Sequence, residues 1–341
     1  MADQSASPPP HATMMQMITG KWVSQAIYAA AELGIADLLA TREQTAEELA
    51  VATNTHADTL YRLLRALGSV GVLIEGEQRR FRNSPLGDTL RRDVPGSVRG
   101  FARLMGMDMS WKAWGEILYS VKTGQSAFER VAGKTAFEYI STRPFEAQII
   151  NEAMTSISEQ TSQMVVHAYD FSGARMIVDV GGGEGLLLAT ILKANPQANG
   201  VLFELPHACA AAKDLLAMHG LTERVEVISG NALESVSCGG DIFIMKHIVH
   251  DWDNERSLQF MRNCAKAMPS GGKLLLLEAA LTPPDTPHFA KLLDLEMLVM
   301  SPGGRERTID EYRHLYVEAG LRMTQIYSTE GMLNIIEGVK P

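Results

Sequence analysis

The stretch RMIVDVGGGEGLLL at residues 175–188 constrains the fold more than any other part of the chain. Met176, Ile177 and Val178 form a short apolar run of the kind buried on both faces of a parallel sheet. Asp179 ends the run, and the turn that follows is almost all glycine. From Leu186 the pattern becomes helical, with Leu187, Leu188, Ile191 and Leu192 on one face until Asn195-Pro196 stops it. A strand, a glycine turn and a helix N-terminus together make a pocket where backbone atoms approach a ligand closely.

The spacing within that turn selects the ligand. A dinucleotide fingerprint needs glycines at the first, third and sixth positions of its loop. Starting at Gly181, the frame continues through Gly183 but meets Leu186 where the last glycine belongs. The spacing is instead Asp179-x-Gly181-x-Gly183-x-Gly185, and an acid beside the turn repels a pyrophosphate. It suits a ligand with a cationic amino group, such as S-adenosylmethionine, which has an amino acid moiety, a sulfonium and no phosphate. The next apolar strand, Val201 to Phe203, ends in Glu204, a residue suited to accepting hydrogen bonds from both ribose hydroxyls. A ligand-free α/β turn is the alternative reading, and Glu204 weighs against it.

At 341 residues the chain is long for one core, so two domains are expected. A formal net charge of −9 and a pI near 5.5 argue against nucleic acid as the main partner. Cys209, Cys238 and Cys264 lie far apart with no CxxC pair, which is neither a disulfide framework nor a zinc site and fits a reducing cytoplasm. No apolar run reaches membrane-spanning length and no secretion signal opens the chain.

Residues 1–12, with Pro8, Pro9 and Pro10, read as a disordered lead. Residues 13–94 read as a winged-helix-like dimerisation domain. It opens with an apolar helix from Met14 to Ala40, broken at Gly34 and carrying Trp22, Ile27, Tyr28 and Leu33. Such a helix has more apolar surface than a small domain buries, which points to a homodimer interface. Thr45 is a candidate N-cap with Glu47 and Glu48 in the first turn. Leu60, Leu63, Leu64 and Leu67 form the buried face of the next helix, and residues 72–82 resemble a hairpin. This helix–turn–helix–hairpin order raises a DNA-binding reading, with Arg62, Arg65, Arg79, Arg80 and Arg82 as its cations. Glu75 and Glu77 share the hairpin and the protein is acidic, so a solvated arginine-rich face is the better account.

Residues 95–170 read as a helical linker and substrate-pocket region, in which Met105 and Met154 are candidates for an adaptable contact with a flat organic substrate. Residues 171–341 read as the cofactor-binding catalytic domain, an α/β doubly wound, Rossmann-like sheet. Its later strands are Val201–Glu204, Val225–Ser229, Asp241–Lys246 and Lys273–Glu278. Met323–Ser328 and Met332–Glu337 close it as an antiparallel edge hairpin.

Ligands of open α/β sheets lie beyond the carboxyl ends of the strands. The segment MKHIVHDWDNE at 245–255 occupies such an end. His247, His250, Asp251, Asp253 and Glu255 offer metal ligands in principle, yet Asp253 is equally explained as the N-cap of the next helix, with Glu255 in its first turn.

The motifs DVGGGEG, FELP, MKHIVHDWDNE, LLLLEAAL and SPGGRERT occur in that order over residues 179–308. Their run resembles the S-adenosylmethionine-dependent O-methyltransferases of plant phenylpropanoid and bacterial antibiotic and pigment pathways. The likeness covers nearly the whole chain, because that family also carries a winged-helix-like dimerisation domain. The resemblance implies His250 as general base, with Glu278 and Glu306 as supporting acids and no metal. It assigns cofactor contacts to Gly181, Gly183, Glu204 and Lys246, to which Asp179 and Leu205 add their flanking positions. The family's adenine-side Gly-Asp-Met-Phe stands here as Gly230-Asn231-Ala232-Leu233, and Asn231 retains an amide for the adenine. Trp252, Met297, Met300 and Ser301 are the candidate substrate contacts around the base. His247 receives no role.

The chemistry follows from charge. A phenol with pKa near 10 and a histidine near 6.5 differ by about 3.5 units, an uphill transfer of about 4.8 kcal/mol. An aliphatic alcohol is a harder proton source still, so a phenolic or enolic acceptor is expected. The competing readings are a winged-helix regulator that senses the cofactor, a cofactor-retaining relative that methylates nitrogen or performs other chemistry, and a metal-dependent catechol-type methyltransferase.

Overall fold

The computed structural model describes residues 8–206 and 208–341, apart from the side chains of Phe137 and Gln160. Of the expected disordered lead, residues 1–7 lie outside the described residues. Residues 10–12 are helical rather than disordered, because Pro10 occupies the first turn of a helix over Pro10–Glu32, where a missing N–H costs nothing. The chain forms two compact units. One runs to Trp111 and takes in Phe145–Ile157; the other comprises Lys112–Pro144 and Ser158–Pro341. The stretch 95–170, expected as one region, is thus shared between them. It is helical throughout, with helices at Arg99–Gly106, Asp108–Gly115, Ile117–Thr123, Ala127–Ala132, Ala136–Ser141 and Pro144–Ala168.

In the first unit the long helix ends at Gly34, whose φ of +66° turns the chain. Thr45 caps the helix Ala46–Thr53 in a reciprocal pair with Glu48, each side chain taking the other's backbone N–H. Leu60, Leu64 and Leu67 of Ala57–Ser69 pack with Leu49, Val72 and Phe81 into one core. Strands β1 (Gln44–Thr45), β2 (Leu73–Glu75) and β3 (Arg80–Asn83) pair antiparallel in the order β1-β3-β2. The arginines of the wing face the chain's own acids: Arg79 with Glu47, Arg80 with Glu48 and Arg82 with Glu43. Exposed pairs of this kind are each worth about 0–1 kcal/mol. Their consequence is electrostatic, since they neutralise the strip that a DNA backbone would need.

Met14, Met15, Met17, Ile18 and Trp22 stand in solvent along the first helix, with Trp22 67% exposed. One turn-to-turn apolar stripe of this size on a single chain marks a contact surface. Changing Trp22 to glutamate is therefore expected to convert dimers to monomers in light scattering after size exclusion, with little loss of monomer stability. An unchanged dimer contradicts the assignment of this stripe.

The second unit is built on seven strands: β4 (Met176–Val180), β5 (Asn199–Glu204), β6 (Val225–Ser229), β7 (Ile242–Lys246), β8 (Lys273–Glu278), β9 (Arg322–Ser328) and β10 (Asn334–Val339). Their order is β6-β5-β4-β7-β8-β10-β9, parallel from β6 to β8 and antiparallel beyond. The last strand starts two residues later than the expected Met332, because pairing of Asn334 with Glu278 through Val339 with Lys273 sets its register. Alternate residues feed two cores: Val178, Val180, Leu274 and Leu276 on one face, Ile177, Leu275 and Leu277 on the other. From β4 the chain first winds outward through β5 and β6, then returns to β7 and β8 on the other side. The switch point lies between β4 and β7, so the turns after these two strands flank one crevice. Among the described residues, no helix is long and apolar enough to cross a membrane.

Candidate active site

The turn after β4 is held by positive φ at Gly181 (+73°), Gly183 (+60°) and Gly185 (+83°). Gly181 donates its N–H to the Phe203 carbonyl, and a Cβ there would strike Ile248. Gly183 faces open space, with nothing near the position of a Cβ. Its N–H donates to Glu204 Oε2 at 2.8 Å, while Glu204 Oε1 accepts from Leu205 N–H at 2.6 Å. Glu204 therefore ties the glycine turn to the end of β5. The amide that a pyrophosphate would use is already bonded to a carboxylate.

Asp179 stands differently from the sequence expectation. Its carboxylate does not project beside the turn but lies fully buried beneath it, against Gly182, with the Leu188 backbone as its one weak donor. Burial pushes its pKa up to about 7, opposed by the Lys246 ammonium and reinforced by Glu204. Lys246, at the end of β7, is drawn down to about 8 by burial, against the pull of Asp179, and its Nζ donates to Ser158 Oγ. A buried, underpaired acid below an open glycine cradle fits a cationic ligand better than a phosphate.

The loop after β6 supplies the next wall. Gly230 donates its N–H to the Glu204 carbonyl, and a Cβ on it would collide with the Phe203 ring. The Asn231 side chain is engaged locally, Oδ1 accepting from Leu233 N–H and Nδ2 donating to Glu234. This is an Asx turn, and it leaves the amide less free for an adenine than the sequence suggested. Asn263, which the sequence did not single out, fixes this loop by donating to the carbonyls of Ala232 and Leu233.

Across the crevice, His250, Glu278 and Glu306 converge although they lie far apart in sequence. His250 Nδ1 donates to Glu306 Oε1 at 2.8 Å, so in the neutral ring it is Nε2 that carries the lone pair able to accept a proton. Glu278, at the end of β8, accepts from the N–H groups of Ile248 and Val249 through Oε1, and its Oε2 lies 3.7 Å from His250 Nδ1. Both glutamates are fully buried. Burial alone would lower the His250 pKa, but Glu278, the hydrogen bond to Glu306 and Asp251 outweigh it and push the value up to about 10. Glu278 is raised to about 7 by burial, against the pull of His250.

The loop that carries His250 is held from behind by Arg307, whose guanidinium is fully buried. It donates to the carbonyls of Val249, Trp252 and Arg305, to Asn254 Oδ1 and to Ser257 Oγ. Asp294 accepts the Glu306 backbone N–H at 2.8 Å, and Arg305 N–H donates to the His250 carbonyl. Neither Arg307 nor Asp294 was identified from sequence. Asp294 could have been, as an acid set within the apolar helix Ala290–Met300.

The candidate substrate contacts divide. Ser301 Oγ donates to Asp251, and Met297 is buried one turn earlier with half-buried Met300 beside it. Trp252 packs on Phe260 with Arg256 over its ring. Met105 and Met154 belong to the other unit, on Arg99–Gly106 and Pro144–Ala168.

Substituting valine for Gly183 forces a branched residue into positive φ, a strain of about 1–3 kcal/mol, and fills the open space. Calorimetric affinity for S-adenosylmethionine is expected to fall by about tenfold or more. Undiminished binding contradicts this placement of the cofactor.

Residues 114–322 match the O-methyltransferase domain, and residues 15–93 match the O-methyltransferase dimerisation domain. A phenazine O-methyltransferase of Lysobacter antibioticus is 40% identical over 98% of each chain. A phenazine-1-carboxylate N-methyltransferase of Pseudomonas aeruginosa is 31% identical over 92% of each. The crystal structure of a calicheamicin-biosynthesis methyltransferase in its S-adenosylhomocysteine-bound form superposes with a TM-score of 0.84 at 30% identity, covering 97% of this chain and 98% of that one. The chain belongs to the O-methyltransferase family and is an S-adenosylmethionine-dependent enzyme, with that family's dimerisation domain ahead of its catalytic domain.

Proposed function

We propose that the protein methylates a phenolic hydroxyl of a small aromatic secondary metabolite, with His250 Nε2 taking the hydroxyl proton, and that it does so as a cytoplasmic homodimer. The observation that carries this reading is the 2.8 Å bond from His250 Nδ1 to buried Glu306 beside Glu278. That bond sets the tautomer and offsets the charge of the imidazolium once formed. The free thiols of Cys209, Cys238 and Cys264 fit a reducing compartment.

S-adenosylmethionine supplies an electrophilic methyl group on a cationic sulfur. The chain would hold it with Gly181, Gly183, Glu204 and Leu205 on one side and Gly230, Asn231 and Ala232 on the other, with Asp179 and Lys246 setting the local charge. Met297, Met300 and Ser301 are proposed to face the aromatic acceptor. His250 holds the hydroxyl and removes its proton. Raised to about 10, its conjugate acid nearly matches a phenol, so the transfer that costs about 4.8 kcal/mol for an ordinary histidine becomes close to neutral.

The same shift makes a pH prediction. The base must be neutral, and a raised pKa keeps it protonated near neutrality. kcat/KM for the acceptor is therefore expected to rise by about tenfold per pH unit from roughly pH 6 toward pH 9. The profile should flatten when His250 is replaced by glutamine. A wild-type profile already flat above pH 6 contradicts the raised base.

The Pseudomonas relative favours one second reading, methylation of a nitrogen. A nitrogen with a free lone pair needs no prior deprotonation, so N-methylation would survive loss of His250.

A further inference from the structure

His247 has no part in the proposed reaction, yet its position calls for an account. Its backbone sits at φ +55°, a conformation uncommon outside glycine that asparagine, aspartate and histidine adopt most readily, and its N–H bonds the Leu277 carbonyl. The effect is to bring its ring against that of His250, with centroids 4.9 Å apart and planes 30° apart. Nδ1 of His247 is buried without a hydrogen-bond partner and lies 3.9 Å from Glu278 Oε2. That oxygen is itself buried, unpartnered and 3.7 Å from His250 Nδ1. Ligand atoms of His247, His250 and Glu278 all lie within 4.8 Å of one another.

We propose that His247, His250 and Glu278 form a binding site for a divalent transition-metal ion of the zinc type, and that the ion switches the enzyme off by occupying its base. Bond lengths of about 2.0–2.2 Å separate tetrahedral ligand atoms by about 3.4 Å, so the observed 3.7 and 3.9 Å to the shared Glu278 oxygen lie close to that value, and the two imidazoles, within 4.8 Å of each other, close the rest of the way on the ion. Two imidazoles and a carboxylate suit Zn²⁺ or Co²⁺ rather than Mg²⁺ or Ca²⁺. Glu306 is available as a fourth ligand, because it already touches His250 Nδ1 and its Oε2 is buried without a partner. At 25% side-chain exposure, against 8% for His250, His247 is the more open member of the set.

The proton balance explains the inhibition. A metal on His250 Nδ1 displaces the hydrogen from that nitrogen, and the one hydrogen of the neutral ring then resides on Nε2. The nitrogen that must accept the phenolic proton has become a donor. If the ring starts as imidazolium, one proton is released to solvent on binding. The inhibition, though not the binding, rests on His250 being the base.

Cobalt separates the two claims. Metal-stripped full-length protein titrated with Co²⁺ is expected to develop the ligand-field absorption of a four-coordinate site at one equivalent per chain, and Zn²⁺ should displace it. His247→Asn should abolish that band, and asparagine suits the positive φ, so the fold is preserved. The variant should keep wild-type turnover while requiring about tenfold more Zn²⁺ for half-inhibition, with a chelator restoring the wild type. Absence of the cobalt band in the wild type overturns the site, and equal zinc sensitivity of the two proteins overturns the switch. Zinc-edge anomalous scattering from wild-type crystals gives a check free of substitution. A peak between His247 Nδ1 and Glu278 Oε2 is expected, and occupancy only elsewhere refutes it.

Discussion

Replacing His250 with glutamine is expected to slow methyl transfer by about 10²- to 10⁴-fold, the range for loss of a positioned general base. Glutamine keeps a hydrogen-bonding side chain of comparable reach but cannot take a proton at any accessible pH. Glu306 and Glu278 lose the imidazolium they face, yet both stay anchored through other groups: Glu278 by the N–H groups of Ile248 and Val249, Glu306 by its own backbone bond to Asp294. The loop should therefore hold its shape. The glycine turn after β4 and Lys246 are untouched, so cofactor affinity should change by no more than about twofold, or less than 0.5 kcal/mol. The split between rate and affinity is what separates a base from a structural residue. Equal turnover removes His250 as the base, and equal losses of turnover and cofactor binding indicate a collapsed pocket.

Exchange of Arg307 for methionine is expected to cost about 3–5 kcal/mol of stability and to lower Tm by on the order of 10 °C. The guanidinium is fully buried and bonds carbonyls, an amide and a hydroxyl, and no carboxylate is among its hydrogen-bond partners. Its removal takes the guanidinium donors from the carbonyls of Val249 and Trp252 and leaves the single Ser257 hydroxyl to serve both, a penalty of about 1–3 kcal/mol for each bond lost. Relief of the buried charge, which burial already disfavours enough to lower the Arg307 pKa, offsets part of that cost. Because those carbonyls flank His250, activity should fall at temperatures where the variant is still folded. Lysine should not rescue it, since one ammonium cannot span acceptors that a planar fork reaches. Unchanged Tm together with unchanged turnover contradicts this role.

The contrast between these two residues shows what a sequence can disclose. His250 lies in a motif whose neighbours are locally readable. Asp253 does cap the following helix, accepting the Arg256 N–H at 2.8 Å, and β7 ends where its apolar run ends. Arg307 carries no such mark, because a buried arginine and a surface one look alike until the acceptors around it are known. The glycine turn was legible because its signal is local, a strand and a helix joined by residues that tolerate positive φ. The side of the turn on which Asp179 lies was not, since burial beneath Gly182 depends on packing against Leu202 of the neighbouring strand. Asn231 stands where the resemblance puts an adenine contact, although its Asx turn with Leu233 is a local feature that the residue type alone suggests. The register of β10 likewise belongs to β8 rather than to its own composition.

The most direct test of the account is transfer of an isotope-labelled methyl group from S-adenosylmethionine to a panel of hydroxy- and amino-aromatic compounds, run in parallel for the wild type and His250→Gln at saturating cofactor. Label on a phenolic oxygen is expected with the wild type, and its near-complete loss in the variant. Label on nitrogen, or equal label on oxygen from both proteins, would contradict it.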